Sequence, residues 1–182
     1  MMAARLARLR VPLGFVFGIA VLWLARPTAT TLAAGVPVAV AGESLRVWAA
    51  GHLNKSREVT ASGPYRWFAH PLYVGSSIMG VGLAMASGSV AVALLIAVYL
   101  GATLTAAVTN EEAFLRRTFG DRYDQYRRNR LASGVDAQRR FRFAQALANH
   151  EQRAIAGLVA AVLLLILKAT YNGSFWWAAA GP

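Results

Sequence analysis

Five apolar blocks dominate the 182-residue chain and constrain its fold more than any other feature. They run from Val11 to Ala25, Thr28 to Val47, Leu72 to Ala86, Val90 to Val108 and Ala154 to Leu167. A helix needs about 20 residues to cross the hydrocarbon of a bilayer, with ~17 as the usual lower end. The second and fourth blocks reach that length unaided. The first, third and fifth need interfacial residues to complete a span. Trp23, Tyr171, Trp176 and Trp177 are amphipathic types enriched at that depth. Lys168 can extend outward from the end of the fifth block. The pattern predicts an all-α, polytopic membrane protein with about five transmembrane helices. The simpler alternative has four spans and one interfacial segment.

The charges support this reading. Hydrophobic residues make up 57% of the chain, yet the formal net charge is +11. The two fit together if apolar residues sit in lipid and charges gather at one surface. Arg5, Arg8 and Arg10 precede the first block, and Arg46, Lys55, Arg57 and Arg66 separate the second from the third. Ten arginines, Arg116 to Arg153, lie between the fourth and fifth. If the blocks alternate, all of these share one side, and only Arg26 and Lys168 fall on the other. Positive residues mark the cytoplasmic face, which predicts an amino terminus inside and a carboxyl terminus outside. The arginine excess is read as attraction to anionic headgroups, not to nucleic acid. The first block follows a positive segment, as in a signal peptide, but no small-x-small site closes it; a retained helix is expected. There is no cysteine, which excludes disulfides and thiolate chemistry.

Turn chemistry then divides the chain. Arg26-Pro27 and Ser87-Gly88-Ser89 are tight, which makes hairpins of the first and second and of the third and fourth helices. The expected units are an amino-terminal hairpin over 1–47, a core over 48–130 with the second hairpin, and a basic carboxyl-terminal part over 131–182. Phe114, Leu115, Phe119, Tyr123 and Tyr126 recur at helical spacing, so Glu111 to Asn129 reads as a helix continuing past the membrane, interrupted at Gly120. Gln138 to Arg153 reads as a basic amphipathic helix on the membrane surface.

Two polar constellations carry the chemistry. The first is the entrance to the third helix, from Thr60 to Gly75. Gly63-Pro64 makes a turn, and Tyr65, His70 and Tyr73 add two phenols and an imidazole. Pro71 suits a first helical turn, whose free N–H groups can receive a carboxylate. Taken singly, each residue also fits an aromatic belt with a capping histidine. The second is Asn110-Glu111-Glu112 near the cytoplasmic end of the fourth helix, where the helix dipole favours cations over carboxylates. Arg116, one turn on, offers Glu112 a structural partner; a bound cation or ribose diol would be the functional one. Glu43 inside the second block pairs structurally with Arg46 three residues on. Small residues at Gly80-Val81-Gly82 permit close helix packing. His52 reads as interfacial and His150 as surface. No cluster has metal-ligand spacing.

The run Gly63-Pro64-Tyr65, then His70-Pro71-Leu72-Tyr73-Val74-Gly75, a hairpin, Glu111-Glu112 and Phe119-Gly120-Asp121-Arg122-Tyr123 resembles the isoprenylcysteine carboxyl methyltransferase and phospholipid methyltransferase superfamily. Upstream, Gly42 to His52 is also similar to that family. The resemblance covers about residues 42–130. It implies a cytoplasmic S-adenosylmethionine site and a lipid-like, lipidated or otherwise membrane-partitioned acceptor. By position, it implies that a strand-like lead-in of Arg57, Glu58, Val59 and Thr60 contacts the cofactor, and that Tyr65 lines the site. It further implies that His70, Pro71, Leu72 and Tyr73 hold the amino-acid end, and that Glu111 is the cofactor-binding acid with Glu112 in support. Holding donor and acceptor together away from water supplies much of such a reaction's acceleration. An amine acceptor must also lose a proton, for which Glu112 and His70 are the candidate bases. The chain departs from the family at Ala69, where arginine is usual and Arg66 is a candidate substitute, and at Ala107, where the eukaryotic carboxyl methyltransferases place a substrate-facing arginine. Two other classes fit parts of the pattern: an NADPH-dependent membrane sterol-type reductase, and a non-catalytic membrane protein that kept the fold. Leu72 and Ser76 depart from the reductase motif, and Glu111-Glu112 favours methyl transfer.

Overall fold

The computed structural model describes residues 16–54, 59–128 and 140–173, and all regular structure among them is helical. Residues 16–24 form α1, Ala29–His52 α2, Pro71–Ser87 α3, Val90–Phe119 α4, Asp121–Arg127 α5, Phe143–Ala148 α6 and Gln152–Tyr171 α7. A single 3-10 turn occupies Gly63–Arg66. Each of the five apolar blocks is helical where it is described, apart from Ala25 and Thr28 at the edges of the first two. α4 and α7 are long and apolar enough to cross a membrane by length and composition.

Local chemistry sets the boundaries. Pro27 cannot extend α1, and Thr28 starts α2 with a reciprocal cap. Its hydroxyl accepts from the Thr31 amide at 3.2 Å, while the Thr31 hydroxyl accepts from the Thr28 amide at 2.9 Å. His70 is the N-cap of α3 and Pro71 its first residue, where a missing N–H costs no hydrogen bond. Gly88 ends α3 in the left-handed region at φ 61°, and Ser89 caps α4. At 30 residues, α4 is about 45 Å long. That exceeds a hydrocarbon core of ~30 Å, so a single bilayer crossing would not hold all of α4.

The tightest packing is the antiparallel seam between α2 and α3. A Cβ built on Gly35 would lie 2.4 Å from the carbonyl oxygen of Gly82, and one on Gly82 would lie 2.2 Å from the amide nitrogen of Ala39. Backbones approach this closely only where side chains are absent, as at small-residue seams in membranes. Gly80 sits on another face, against Leu100 of α4. At the far end of the bundle, Ala25, Leu32, Ala86, Val92, Leu165 and Ala169 form a buried cluster joining α2, α3, α4 and α7. There the Lys168 ammonium donates to the carbonyls of Leu22 and Trp23, the latter at 2.7 Å. It caps the end of α1 instead of reaching outward.

Several expectations need correction. α2 runs on to His52, so Arg46 lies within the helix and not in the following connection. His52 is buried, its Nδ1 3.1 Å from the Ser62 hydroxyl, and is not an interfacial residue. No continuous surface helix spans the described part of 138–153. α6 ends at Ala148, His150 takes φ 62°, and α7 begins at Gln152. The break has a cause: the Asn149 amide donates to the carbonyls of Ala50 and Leu53 at 2.8 and 2.9 Å, and Gln145 donates to Leu53. Those bonds satisfy carbonyls at the end of α2 that have no partner within the helix and hold α6 across it. Arg5, Arg8, Arg10, Trp176, Trp177, Gln138 and Arg139 lie outside the described residues.

Candidate active site

α2 ends, α3 begins, the charged part of α4 emerges and α7 begins at one end of the bundle. Together they enclose a cavity of about 420 Å³, within the range of ~300–1,000 Å³ usual for small-molecule sites. Val59, Thr60, Tyr65, Leu72, Tyr73 and Glu111 all line it. Arg57 and Glu58 lie outside the described residues, and Val59 and Thr60 enter as irregular chain, not as a strand.

His70 joins the two polar constellations. Its Nε2 is 3.3 Å from a Glu112 carboxylate oxygen, and its Nδ1 is 3.7 Å from Glu111, an ion-pair distance longer than a hydrogen bond. Glu111, and after it Glu112, raises the proton affinity of the imidazole above its ordinary value, outweighing the opposite effect of burial. Glu112 also meets Arg127 at 3.5 Å and Arg116 at 3.6 Å, so the structural partner expected one turn on is present. Pro71 is fully buried. It sets the position at which α3 starts.

α5 forms the outer wall. The Tyr126 hydroxyl donates to the carbonyl of Tyr65 at 2.9 Å, tying α5 to the 3-10 turn. Burial pushes the phenols of Tyr65 and Tyr126 upward, keeping both protonated as donors. Among the described residues the Tyr123 hydroxyl has no hydrogen-bond partner, although the residue is only 1% exposed and lines the cavity. Such a group asks for a polar ligand or water.

Phe114, Leu115, Tyr123 and Tyr126, which the sequence offers as a helical stripe, are cavity wall. Asn149 and Glu151, from the turn between α6 and α7, also line it. Nothing in their local sequence marks them. Ala69 borders the cavity, where a longer side chain would enter it. Arg66 is exposed and lines a small cleft with Trp67, Ala69 and Arg127, but not the larger cavity. Ala107 is not among the lining residues. A second, apolar cavity of about 510 Å³ lies between α1, α3, α4 and α7, bordered by Phe17, Met79, Leu83, Tyr99 and Leu164. Among the described residues no group of histidine or acidic side chains could hold a metal ion.

Residues 44–122 match the model of the family described as phospholipid methyltransferase. A protein-S-isoprenylcysteine O-methyltransferase from Schizosaccharomyces pombe is 36% identical over 95 residues, 52% of this chain and 40% of its own length. A nickel-cobalt-cadmium resistance protein, NccN, from Alcaligenes xylosoxydans xylosoxydans is 32% identical over 108 residues, 58% of this chain and 49% of its own. The chain thus spans less than half the length of either relative. No solved structure matches.

Proposed function

We propose, from the match of residues 44–122 to the phospholipid methyltransferase family model, that the chain transfers a methyl group from S-adenosylmethionine to a lipid-like or membrane-partitioned acceptor. One observation carries the reading: His70 at the mouth of α3 meets Glu111 and Glu112 of α4 beside a cavity of nucleoside size. The family model matches the part of the chain that builds this junction.

The residues present fit such a cofactor. At the helix entrance Pro71 has no N–H and Tyr73 and Val74 donate to the His70 carbonyl, which leaves the Leu72 N–H to offer to a carboxylate. Glu111 offers negative charge to the cationic part. Thr60 and the unpartnered Tyr123 hydroxyl offer polar contacts, and Val59, Leu72 and Phe114 offer apolar ones. When bound, S-adenosylmethionine supplies an electrophilic methyl group on a cationic sulfur. The chain's own task is then to orient, exclude water and, for an amine acceptor, take a proton. Glu112 faces three cationic partners, His70, Arg116 and Arg127. The acids beside His70 favour its imidazolium, so of the two candidate bases, His70 and Glu112, each takes an amine's proton only from its deprotonated form. The apolar cavity beside Met79 and Leu83 suits the hydrocarbon of the acceptor. In this reading all five apolar helices span the bilayer. The arginine-rich end that carries the cavity faces the cytoplasm.

The test is calorimetric titration of S-adenosylmethionine into the purified protein. The wild type binds, and Glu111→Ala removes binding while the thermal midpoint stays within a few degrees. Unchanged affinity in the variant removes Glu111 from the site. Incubation with labelled S-adenosylmethionine and total membrane lipid then identifies the acceptor from whatever becomes labelled.

A further inference from the structure

We propose that Glu151, in the turn between α6 and α7, is a second carboxylate of the cofactor cavity that recognises the positive charge of the methyl donor, with Arg46 as its positioning residue. This rests on the reading of the cavity as an S-adenosylmethionine site. Glu151 lies outside the family-matched segment 44–122, so it is a feature of this chain's carboxyl-terminal part.

Glu151 lines the cavity, its side chain is 7% exposed, and its Oε1 lacks a hydrogen bond of good geometry. A buried carboxylate needs compensation. Arg46 Nη2 approaches Oε1 at 2.7 Å, but the same guanidinium meets Glu43 at 3.3 Å and also contacts the Ser76 hydroxyl and the Leu72 carbonyl. One cation is thus divided between two acids, and Glu151 faces the cavity with charge left to satisfy. The backbone keeps it there. The Glu151 amide donates to the Ala146 carbonyl at 3.2 Å, and Asn149 is bonded to the end of α2. Glu111 supplies a second acid to the same cavity. S-adenosylmethionine carries one net positive charge at neutral pH. Its demethylated product, S-adenosylhomocysteine, carries none. With Glu111 set against His70, and Glu151 against an Arg46 that also serves Glu43, the pocket keeps acidic charge that favours donor over product and helps product leave.

The experiment compares both nucleosides by titration calorimetry on the full chain. Glu151→Gln keeps the shape and removes the charge. It lowers affinity for S-adenosylmethionine about tenfold, in line with loss of a charge-assisted contact, and leaves S-adenosylhomocysteine within about twofold. Retained product binding also shows that the variant is folded. An equal loss for both nucleosides, or none for either, overturns the role of Glu151. If Glu151→Gln does not fold, Glu151→Asp decides: withdrawing the charge by one methylene reduces the donor-to-product preference part way, and an unchanged preference overturns the assignment. A wild type that binds neither nucleoside overturns the methyltransferase reading itself.

Discussion

The imidazole of His70 and the carboxylate of Glu112 meet at 3.3 Å although they are 42 residues apart in sequence. The contact ties the start of α3 to the far part of α4, with Glu111 completing the grip on the other ring nitrogen. Because both acids favour the imidazolium, His70 binds its proton more tightly in the folded protein than in the unfolded chain. The added stability is fully present below about pH 6.5, the ordinary histidine value, and is lost as pH rises through the raised folded-state value. Thermal unfolding between pH 5.5 and 9 should show the wild type losing its margin over His70→Asn toward high pH. A margin that grows with pH would mean His70 is held neutral.

Closing the seam between α2 and α3 with a side chain should disrupt the bundle. Gly82→Leu places atoms where the Ala39 backbone and the Gly35 carbonyl already lie. Overpacking of this kind costs about 1–3 kcal/mol, and more where backbone must move. Loss of the folded, monodisperse species on size exclusion, or a large drop in thermal midpoint, is expected. The control Gly157→Leu, at a position with nothing within 4 Å, should unfold like the wild type.

Arg46 holds together α2, the start of α3 and the start of α7. Arg46→Met leaves Glu43 and Glu151 buried without their shared cation, and breaking such a pair costs about 3–5 kcal/mol. Urea or thermal unfolding in detergent should place this variant well below Glu43→Gln, which removes an acid but keeps the Arg46–Glu151 pair. Equal stability of the two variants would show that the ions contribute little.

At Ala69, beside the cavity, the resembling family usually carries arginine. Ala69→Arg should keep or raise S-adenosylmethionine affinity in calorimetry, because a guanidinium there can reach the carboxylate end of the ligand. Collapse of affinity would mean this chain builds the helix mouth differently.

The helices were legible because runs of apolar residues bounded by Pro27, Pro71 and Gly88 leave few other structures for the backbone. The meeting of His70 with Glu111-Glu112 was legible only as a resemblance, since no local rule brings the two segments together. The Glu43–Arg46 pair could be read from helical spacing. Its extension to Glu151 could not, because that partner arrives from a distant turn. His52 was misread for the same reason: its burial depends on Ser62, beyond the end of its own helix. Tyr123 and Tyr126 stood in a visible stripe, but periodicity tells which residues share a face and not whether that face meets lipid, core or a cavity. Asn149 and Glu151 had no signal at all. A broken helix at His150 follows from bonds to carbonyls about a hundred residues earlier.

Lys168 gives the chain an order of completion. The last carbonyls of the helix at 16–24 are bonded by an ammonium made nearly 150 residues later. Until that side chain has left the ribosome, the earlier helix ends on carbonyls that this ammonium does not yet serve. During synthesis the end of the first helix is therefore sealed only once the final helix arrives.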